Sequence, residues 1–470
     1  MNYIPNLIRL GVLPILGAWL GCNSIIGLEV GEPEEVGSGG SGPSTGATSA
    51  GTGATSAGTG GGATTTGTSS GTPGVCAPGE TRCDSDGQQT CDASGQWGTA
   101  ELCRLGCNGE VCVLVAGMSL GNSHTCAALT DGTVRCWGSS ESGQLGDGTL
   151  GDGSFRANPA PVVGLNGVTQ VAAGNEHNCA RLVDGTVKCW GHNGFGKLGD
   201  GTYTNSPIPA EALGLASAAG VTLGHSHSCA WLADGSAKCW GINQFGQLGT
   251  GTTNNASFTP VSVVGLSTAE AMSAGDRHTC ALLQGGTVKC WGDGYSGQLG
   301  DGTSGAGAQK LSPSAVPNVA GVAQIALGFY SACVRFTSGA VSCWGSNLYG
   351  QVGDGTTQDR PSVTQVDSLA GVALLGSGQV HTCALRNDSA TFCWGRGSSG
   401  ELGAGLTPTG QSEPAPVLNK SGAVGIAGGG EHTCAWYPDA TVQCWGNNDF
   451  GQLGDGTSGG SKSLPTEVTW

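Results

Sequence analysis

Seven pairs of cysteines, each pair enclosing nine residues, run through the last three quarters of this 470-residue chain. Cys126 is paired with Cys136, Cys179 with Cys189, Cys229 with Cys239, Cys280 with Cys290, Cys333 with Cys343, Cys383 with Cys393 and Cys434 with Cys444. The first cysteine of a pair returns every 50 to 53 residues. The same words surround each pair. His-Thr-Cys-Ala-Ala-Leu-Thr-Asp-Gly-Thr-Val-Arg-Cys-Trp-Gly runs from His124 to Gly138, and Gly-Gln-Leu-Gly-Asp-Gly-Thr follows from Gly143 to Thr149. Self-similarity at this period means stacked supersecondary units that bury a core only against one another.

Each unit reads as a β-hairpin: an alternating apolar stretch reaches Asp-Gly, and a second stretch ending in Cys-Trp-Gly returns. The cysteines decide the register. A two-residue turn at Asp131-Gly132 would set Cys126 opposite Trp137 and leave the two thiols on opposite faces. A three-residue loop, Thr130-Asp131-Gly132 with Gly132 left-handed, sets Cys126 opposite Cys136 at disulfide range. The expectation is therefore seven bridges within hairpins. Ser389 and Ala440 replace the turn glycine in units six and seven, so those turns are expected to be strained or differently shaped.

The words Gly-x-x-His-Thr-Cys-Ala-Leu, Asp-Gly-x-Val-x-Cys-Trp-Gly and Gly-Gln-Leu-Gly-Asp-Gly-Thr resemble the repeats of the regulator of chromosome condensation family. WD-type repeats fit worse, because here Trp is followed by Gly, and the Asp-box repeat of sialidases has different spacing. The resemblance covers residues 113–470. It implies an all-β fold, a seven-bladed β-propeller with one unit per blade. It also implies action through protein contacts: family members include a nucleotide exchange factor for a small GTPase and a secreted inhibitor of β-lactamase. Neither role transfers residue by residue. Segments such as Pro159-Ala-Pro-Val and Pro414-Ala-Pro-Val lie between units, the first unit lacks one before it, and the chain ends on Leu464-Pro-Thr-Glu-Val-Thr-Trp470. The tail is therefore expected to complete the first blade and close the ring.

Upstream of the repeats, Leu7 to Leu20 is apolar apart from Arg9 and too short to span a bilayer. It ends in Trp19-Leu20-Gly21-Cys22, which resembles a bacterial lipoprotein signal with Cys22 as the lipidated residue; an ordinary cleaved signal is the alternative. Residues 1–22 are thus expected to be a signal and 23–75 a disordered linker. Within the linker, every residue from Gly37 to Gly74 is Gly, Ser, Thr, Ala or Pro, so it has almost nothing to bury. Such a coil spans about 35 Å and suits a tether, or equally a glycosylated stalk. Residues 76–112 hold Cys76, Cys83, Cys91, Cys103, Cys107 and Cys112. So short a segment needs covalent staples, and three disulfides are expected, with spacing silent on the pairing. A zinc site is the rival, weakened by the lack of histidine and of Cys-x-x-Cys. Removing Cys22 from the 21 cysteines leaves an even number, in keeping with an oxidising compartment.

Several repeated residues carry chemistry in principle. His124, His177, His227, His278, His381 and His432 each precede the first cysteine by two, so zinc ligation is conceivable. Unit five argues otherwise, because Ser331 replaces the histidine while Cys333 and Cys343 remain. The reading is disulfides beside structural imidazoles, with no metal. The tryptophans of Cys-Trp-Gly, Trp137 to Trp445, are read as inter-blade core rather than sugar platforms. Asp147, Asp200, Asp301, Asp354 and Asp455 in Gly-Asp-Gly-Thr are read as turn formers rather than calcium ligands, since Thr250 and Ala404 fill the slot elsewhere. No nucleophile elbow between a strand and a helix, phosphate loop or His-Glu-x-x-His is found, and no cofactor is expected.

What varies among the copies points to recognition. Between the repeated Gly and His lie Asn122-Ser123, Asn175-Glu176, His225-Ser226, Asp276-Arg277, Phe329-Tyr330, Gln379-Val380 and Gly430-Glu431. Loop positions that the fold does not fix are where a rigid scaffold displays binding groups. These loops are expected at one mouth of the ring, with Phe329-Tyr330 beside Asp276-Arg277 as the hot spot. Against 34 Asp and Glu the chain has 18 Lys and Arg, a net charge of −16, which disfavours nucleic acid. The function expected is that of an exported, lipid-anchored, monomeric propeller facing the cell surface or the periplasm, a non-catalytic scaffold for another macromolecule, first of all a protein. Two alternatives stand beside it. A glycan-active hydrolase or lyase would show at least two carboxylates and an arginine in the mouth, one carboxylate with a raised pKa. A passive envelope component would show no patch there.

Overall fold

The computed structural model describes residues 76–84, 87–109, 111–418 and 421–470. The signal with Cys22 and the linker expected over residues 1–75 lie outside the described residues. Residues 81–89 and 100–470 form one compact unit, and 76–80 with 90–99 a second, small one. Within the small unit Cys76 is bridged to Cys91. Cys83 bonded to Cys107 and Cys103 bonded to Cys112, the pairings that spacing left open, are in the large unit.

The large unit holds seven four-stranded antiparallel sheets, the blades of a β-propeller. Blade 1 runs from an innermost strand, Val115–Leu120, through the hairpin His124–Leu129 and Val134–Ser139 to an outer strand, Phe155–Pro161. Blade 7 repeats this order with Gly425–Gly428, His432–Trp436, Val442–Asn447 and Ser461–Glu467. Among the described residues the only helical element is a 3-10 turn, Gly194–Gly196.

The hairpin register follows the cysteines. Cys126 faces Cys136, the Leu129 amide donates to Thr133 O across a three-residue loop, and Gly132 is left-handed at φ 79°. All seven expected bridges are present. Cys126 is bonded to Cys136, Cys179 to Cys189, Cys229 to Cys239, Cys280 to Cys290, Cys333 to Cys343, Cys383 to Cys393 and Cys434 to Cys444. Their Cα atoms are 4.0 to 4.1 Å apart, closer than hairpin geometry alone led one to expect, because each pair draws its two strands together. Ser389 and Ala440 hold the same left-handed conformation as the turn glycines, at φ 66° and 61°. Those turns therefore keep their shape and accept the strain; Asp388 and Asp439 brace them by accepting from the amides of Ala390 and Thr441.

The tail does not complete the first blade. Ser461–Glu467 pairs with Val442–Asn447, placing Gln443 opposite Glu467, so it is the outer strand of blade 7 itself. The proline segments follow the hairpins they pair with, and the first blade has its own in Phe155–Pro161. Proline suits that outer position because an edge strand does not need every amide. Every blade is contiguous in the chain, and the ring closes by packing blade against blade.

Each seam uses the same bonds. The indole of one blade donates to the preceding blade: Trp190 Nε1 to Gln144 O at 3.0 Å, and, across the last seam, Trp137 Nε1 to Gln452 O at 2.9 Å. The second glycine of Gly-Asp-Gly donates to the next outer strand, Gly148 to Pro207 O and Gly456 to Ala157 O. The word Gly-Gln-Leu-Gly-Asp-Gly-Thr is thus the seam written in sequence. All seven repeated tryptophans are buried there. A side chain at Gly146 would lie 2.8 Å from the Trp190 indole nitrogen, which is why glycine recurs.

The histidines complete the seams. Thr125 Oγ1 donates to Gln452 O and accepts from His432 Nε2 at 2.8 Å, which fixes the Nε2–H tautomer. His124, His177, His227 and His381 bond in the same way to Asn178, Ser228, Thr279 and Thr433. Burial holds the rings neutral, His124 down to about 4 and His227, His381 and His432 to about 3. Blade 5 breaks the circuit. It offers Ala332 where the others offer a polar side chain, so His278 Nε2 has no side-chain partner, and Ser331 replaces its own histidine. Ala332→Thr is therefore expected to stabilise the protein by about 1 kcal/mol, by giving His278 an acceptor and Gln298 O a second donor. Chemical denaturation checks this; a lower midpoint would mean that the buried site cannot take the added volume.

Candidate functional site

The Gly-x-x-His loops join the innermost strand of each blade to the second and gather at one mouth of the ring. Backbone bonds lace them together: Asn122 N to Asn175 O, Asp276 N to Phe329 O, Phe329 N to Gln379 O, Gln379 N to Gly429 O, and Gly430 N to Gly121 O. Glycine opens each loop because its own blade's histidine, or Ser331 in blade 5, lies over it. A Cβ at Gly121 would sit 2.1 Å from His124 Cε1 and 2.7 Å from Gly174 O.

The two variable positions differ in role. Of the first residues, Asn175, Asp276, Phe329 and Gln379 are buried, and Gln379 Nε2 reaches Asn122 Oδ1 at 3.1 Å, beyond the intervening blade. The second residues Ser123, Glu176, Ser226, Tyr330, Val380 and Glu431 are half-buried, and Arg277 is exposed. The first position therefore packs the centre of the mouth while the second lines its face.

The loops of blades 3, 4 and 5 converge. Tyr330 Oη donates to Asp276 Oδ2 at 2.7 Å, Arg277 Nε lies 3.1 Å from the same oxygen, and the His225 and Phe329 rings meet edge to face at 5.9 Å. Burial pushes the Asp276 carboxyl up to about 6 despite Arg277 and Tyr330. The Arg277 guanidinium lies 4.6 Å over the Phe245 ring. Phe245 belongs to a loop the sequence reading passed over, the three residues before Gly-Gln-Leu-Gly. The same loop presents exposed Phe195, Tyr295 and Leu348 in blades 2, 4 and 5. Alternating Asn, Gly and Ser around those side chains was the available signal.

A second cluster sits in blades 6 and 7. Arg396 Nη1 meets Glu431 Oε1 at 2.5 Å, Ser399 Oγ donates to Glu431 Oε2, and Arg396 Nε lies 3.9 Å from Glu401 Oε1. Burial pushes Glu401 up to about 7. The cluster of blades 6 and 7 contains the two carboxylates, arginine and raised pKa set out for glycan chemistry, whereas that of blades 3 to 5 sets the one carboxylate Asp276 beside its arginine. In each, however, the carboxylates already hold protein partners, and Glu401 is fully buried.

The five aspartates of Gly-Asp-Gly-Thr form turns. Asp147 Oδ1 accepts from the Thr149 amide, and Asp354 does the same for Thr356 while pairing with Arg360 at 2.5 Å. The thiols expected in bridges are in bridges, and the tryptophans are in the seams.

Stapled blades with repeating seams and one variable face define a disulfide-bridged seven-bladed propeller. The description "RCC1-like domain" matches residues 202–470, and "Regulator of chromosome condensation (RCC1) repeat" matches 115–144, 168–197 and 131–181. The chain belongs to this RCC1-like family. It is 32% identical over 255 residues to the ultraviolet-B receptor UVR8 of Arabidopsis thaliana, covering 53% of this chain and 57% of that protein. It is 30% identical over 355 residues to the human E3 ubiquitin-protein ligase HERC2, covering 74% of this chain and 5% of that protein. The chain thus spans less than two thirds of these relatives. Among solved structures, yeast RCC1 (Prp20) with Kap60 bound aligns at TM-score 0.63 and 20% identity, over 76% of this chain and 85% of that one. Human WBSCR16 aligns at TM-score 0.61 and 23% identity, over 68% and 86%. Those likenesses are to the fold.

Proposed function

We propose that this propeller is a non-catalytic scaffold that binds another protein through its mouth. The observation that carries this reading is the set of exposed Arg277, Phe195, Tyr295 and Leu348 around a mouth whose other residues are bonded to one another. Large aromatic and arginine side chains dominate interface energetics, and no blade needs them for its core. The fold relative solved with Kap60 bound supports a protein partner. The disulfides of the blades and of the Cys-rich segment support an oxidising location. With it goes the reading of an exported chain lipidated at Cys22, tethered by residues 23–75 and carrying the Cys-rich segment 76–112 before the propeller.

The test is crosslinking on intact cells followed by identification of captured proteins. Arg277→Ala combined with Tyr295→Ala is expected to weaken capture by about tenfold or more, with an unchanged melting temperature. Undiminished capture by the double variant would move the binding face elsewhere. The glycan-active alternative draws on Glu401, Glu431 and Arg396. We keep binding first because those carboxylates are engaged inside the fold.

A further inference from the structure

One position in the seam word departs from its copies. Five blades carry Gln144, Gln247, Gln298, Gln351 and Gln452, and blade 6 carries Glu401; in all six the side-chain oxygen accepts the amide two residues before it, as Gln247 does from Phe245 at 2.9 Å. Blade 2 carries Lys197 there, and a lysine has no acceptor to offer. The local turn changes accordingly. It becomes the 3-10 turn, and Phe195, the residue left without that acceptor, adopts φ 65° while 45% exposed on the mouth. A non-glycine residue held left-handed stores strain, and such outliers cluster at functional sites.

The Lys197 side chain is itself 2% exposed. Among the described residues nothing lies within hydrogen-bond or ion-pair reach of its ammonium; Glu176 acts on it only as a more distant charge. Burial lowers it to about 8. It lies close enough to His192 and His225 to depress both, after burial, to about 4 and about 3, so these rings are neutral neighbours. His192 Nδ1 is buried without a partner, and its ring covers Gly194 in the strained turn. His225 Nδ1 is 2.8 Å from Ser226 Oγ. The residue is buried, but its ammonium nitrogen is not among the fully enclosed polar atoms left without a partner, so solvent, and with it an anion, reaches that nitrogen.

We infer that the mouth at the seam of blades 2 and 3 is a carboxylate-accepting subsite, with the Lys197 ammonium at its floor, His192 and His225 beside it and Phe195 at its rim. Resting on the protein-binding reading above, the subsite takes an acidic side chain of the partner. Glu176 opposes the incoming charge and sets how tightly it is held.

The probe is benzoate, titrated into the full chain while the ring signals of His192 and His225 are followed by NMR, with benzamide as the neutral isostere and inorganic phosphate as the competing oxyanion. Benzoate is expected to shift both rings saturably and benzamide to leave them unmoved. Lys197→Gln, which restores the residue of the other blades, is expected to keep the melting temperature and weaken benzoate about tenfold or more, as for loss of a charge-assisted bond. Glu176→Gln should tighten it. No saturable shift, an equal response to benzamide, a preference for phosphate, or an undiminished response in Lys197→Gln would each overturn the subsite. Cell-surface capture can fail while benzoate binds, and the reverse, so the subsite and the scaffold reading fail separately.

Discussion

Removing one staple, by the paired change Cys179→Ala with Cys189→Ala, is expected to lower the unfolding free energy by about 2–3 kcal/mol, the loop-closure entropy of a bridge spanning so few residues. A single loss leaves the ring folded. Loss of all seven is different, because the sum exceeds the ~5–15 kcal/mol that separates a typical domain from its unfolded chain. Protein unfolded in denaturant with strong reductant, alkylated and then diluted should fail to regain its near-ultraviolet circular dichroism. Recovery of that signal would mean that blade packing alone holds the ring.

The second large effect is at the last seam. Trp137 is buried against blade 7, donates to Gln452 O and meets Trp470 edge to face at 5.8 Å. Trp137→Ala is expected to cost about 3–5 kcal/mol, as for any deleted core aromatic. Trp137→Phe keeps most of the buried ring and should cost about 1 kcal/mol for the lost hydrogen bond. Trp190→Ala, inside the ring, should match Trp137→Ala, because the two seams are built from the same bonds. Denaturant midpoints of the three variants measure this. A cost at Trp137 far below that at Trp190 would show a weak or open last seam.

The repeat was legible because its residues answer local demands. Gly121 is set by the ring of His124, Gly132 by the turn, Gly146 by the indole of Trp190, and the cysteines by facing positions on one hairpin. Ownership of the proline strands was not legible, since the spacing is the same whether each segment ends one unit or opens the next. Only the pairing of Gln443 with Glu467 shows that the tail stays in its own blade. The variable mouth positions were visible, but the split between the buried first residue, such as Phe329, and the outward second one, such as Arg277, comes from loops bonding to their neighbours.

Contacts made between blades were the least visible. Phe245 under Arg277, and Lys197 among His192 and His225, join residues of adjacent units through lateral packing. One trace did exist. Aligning the seven copies places Lys197 and Glu401 where five blades have glutamine, and those two substitutions mark the Lys197 subsite and the Arg396–Glu431 cluster.

Indole hydrogen exchange tests sevenfold closure most directly. Seven indoles, those of Trp137, Trp190, Trp240, Trp291, Trp344, Trp394 and Trp445, donate across seams to buried carbonyls at 2.9 to 3.0 Å. In deuterated buffer all seven NMR signals should decay slowly and together, Trp137 among them. A Trp137 indole that exchanges as fast as an exposed one while the other six persist would contradict the closed ring.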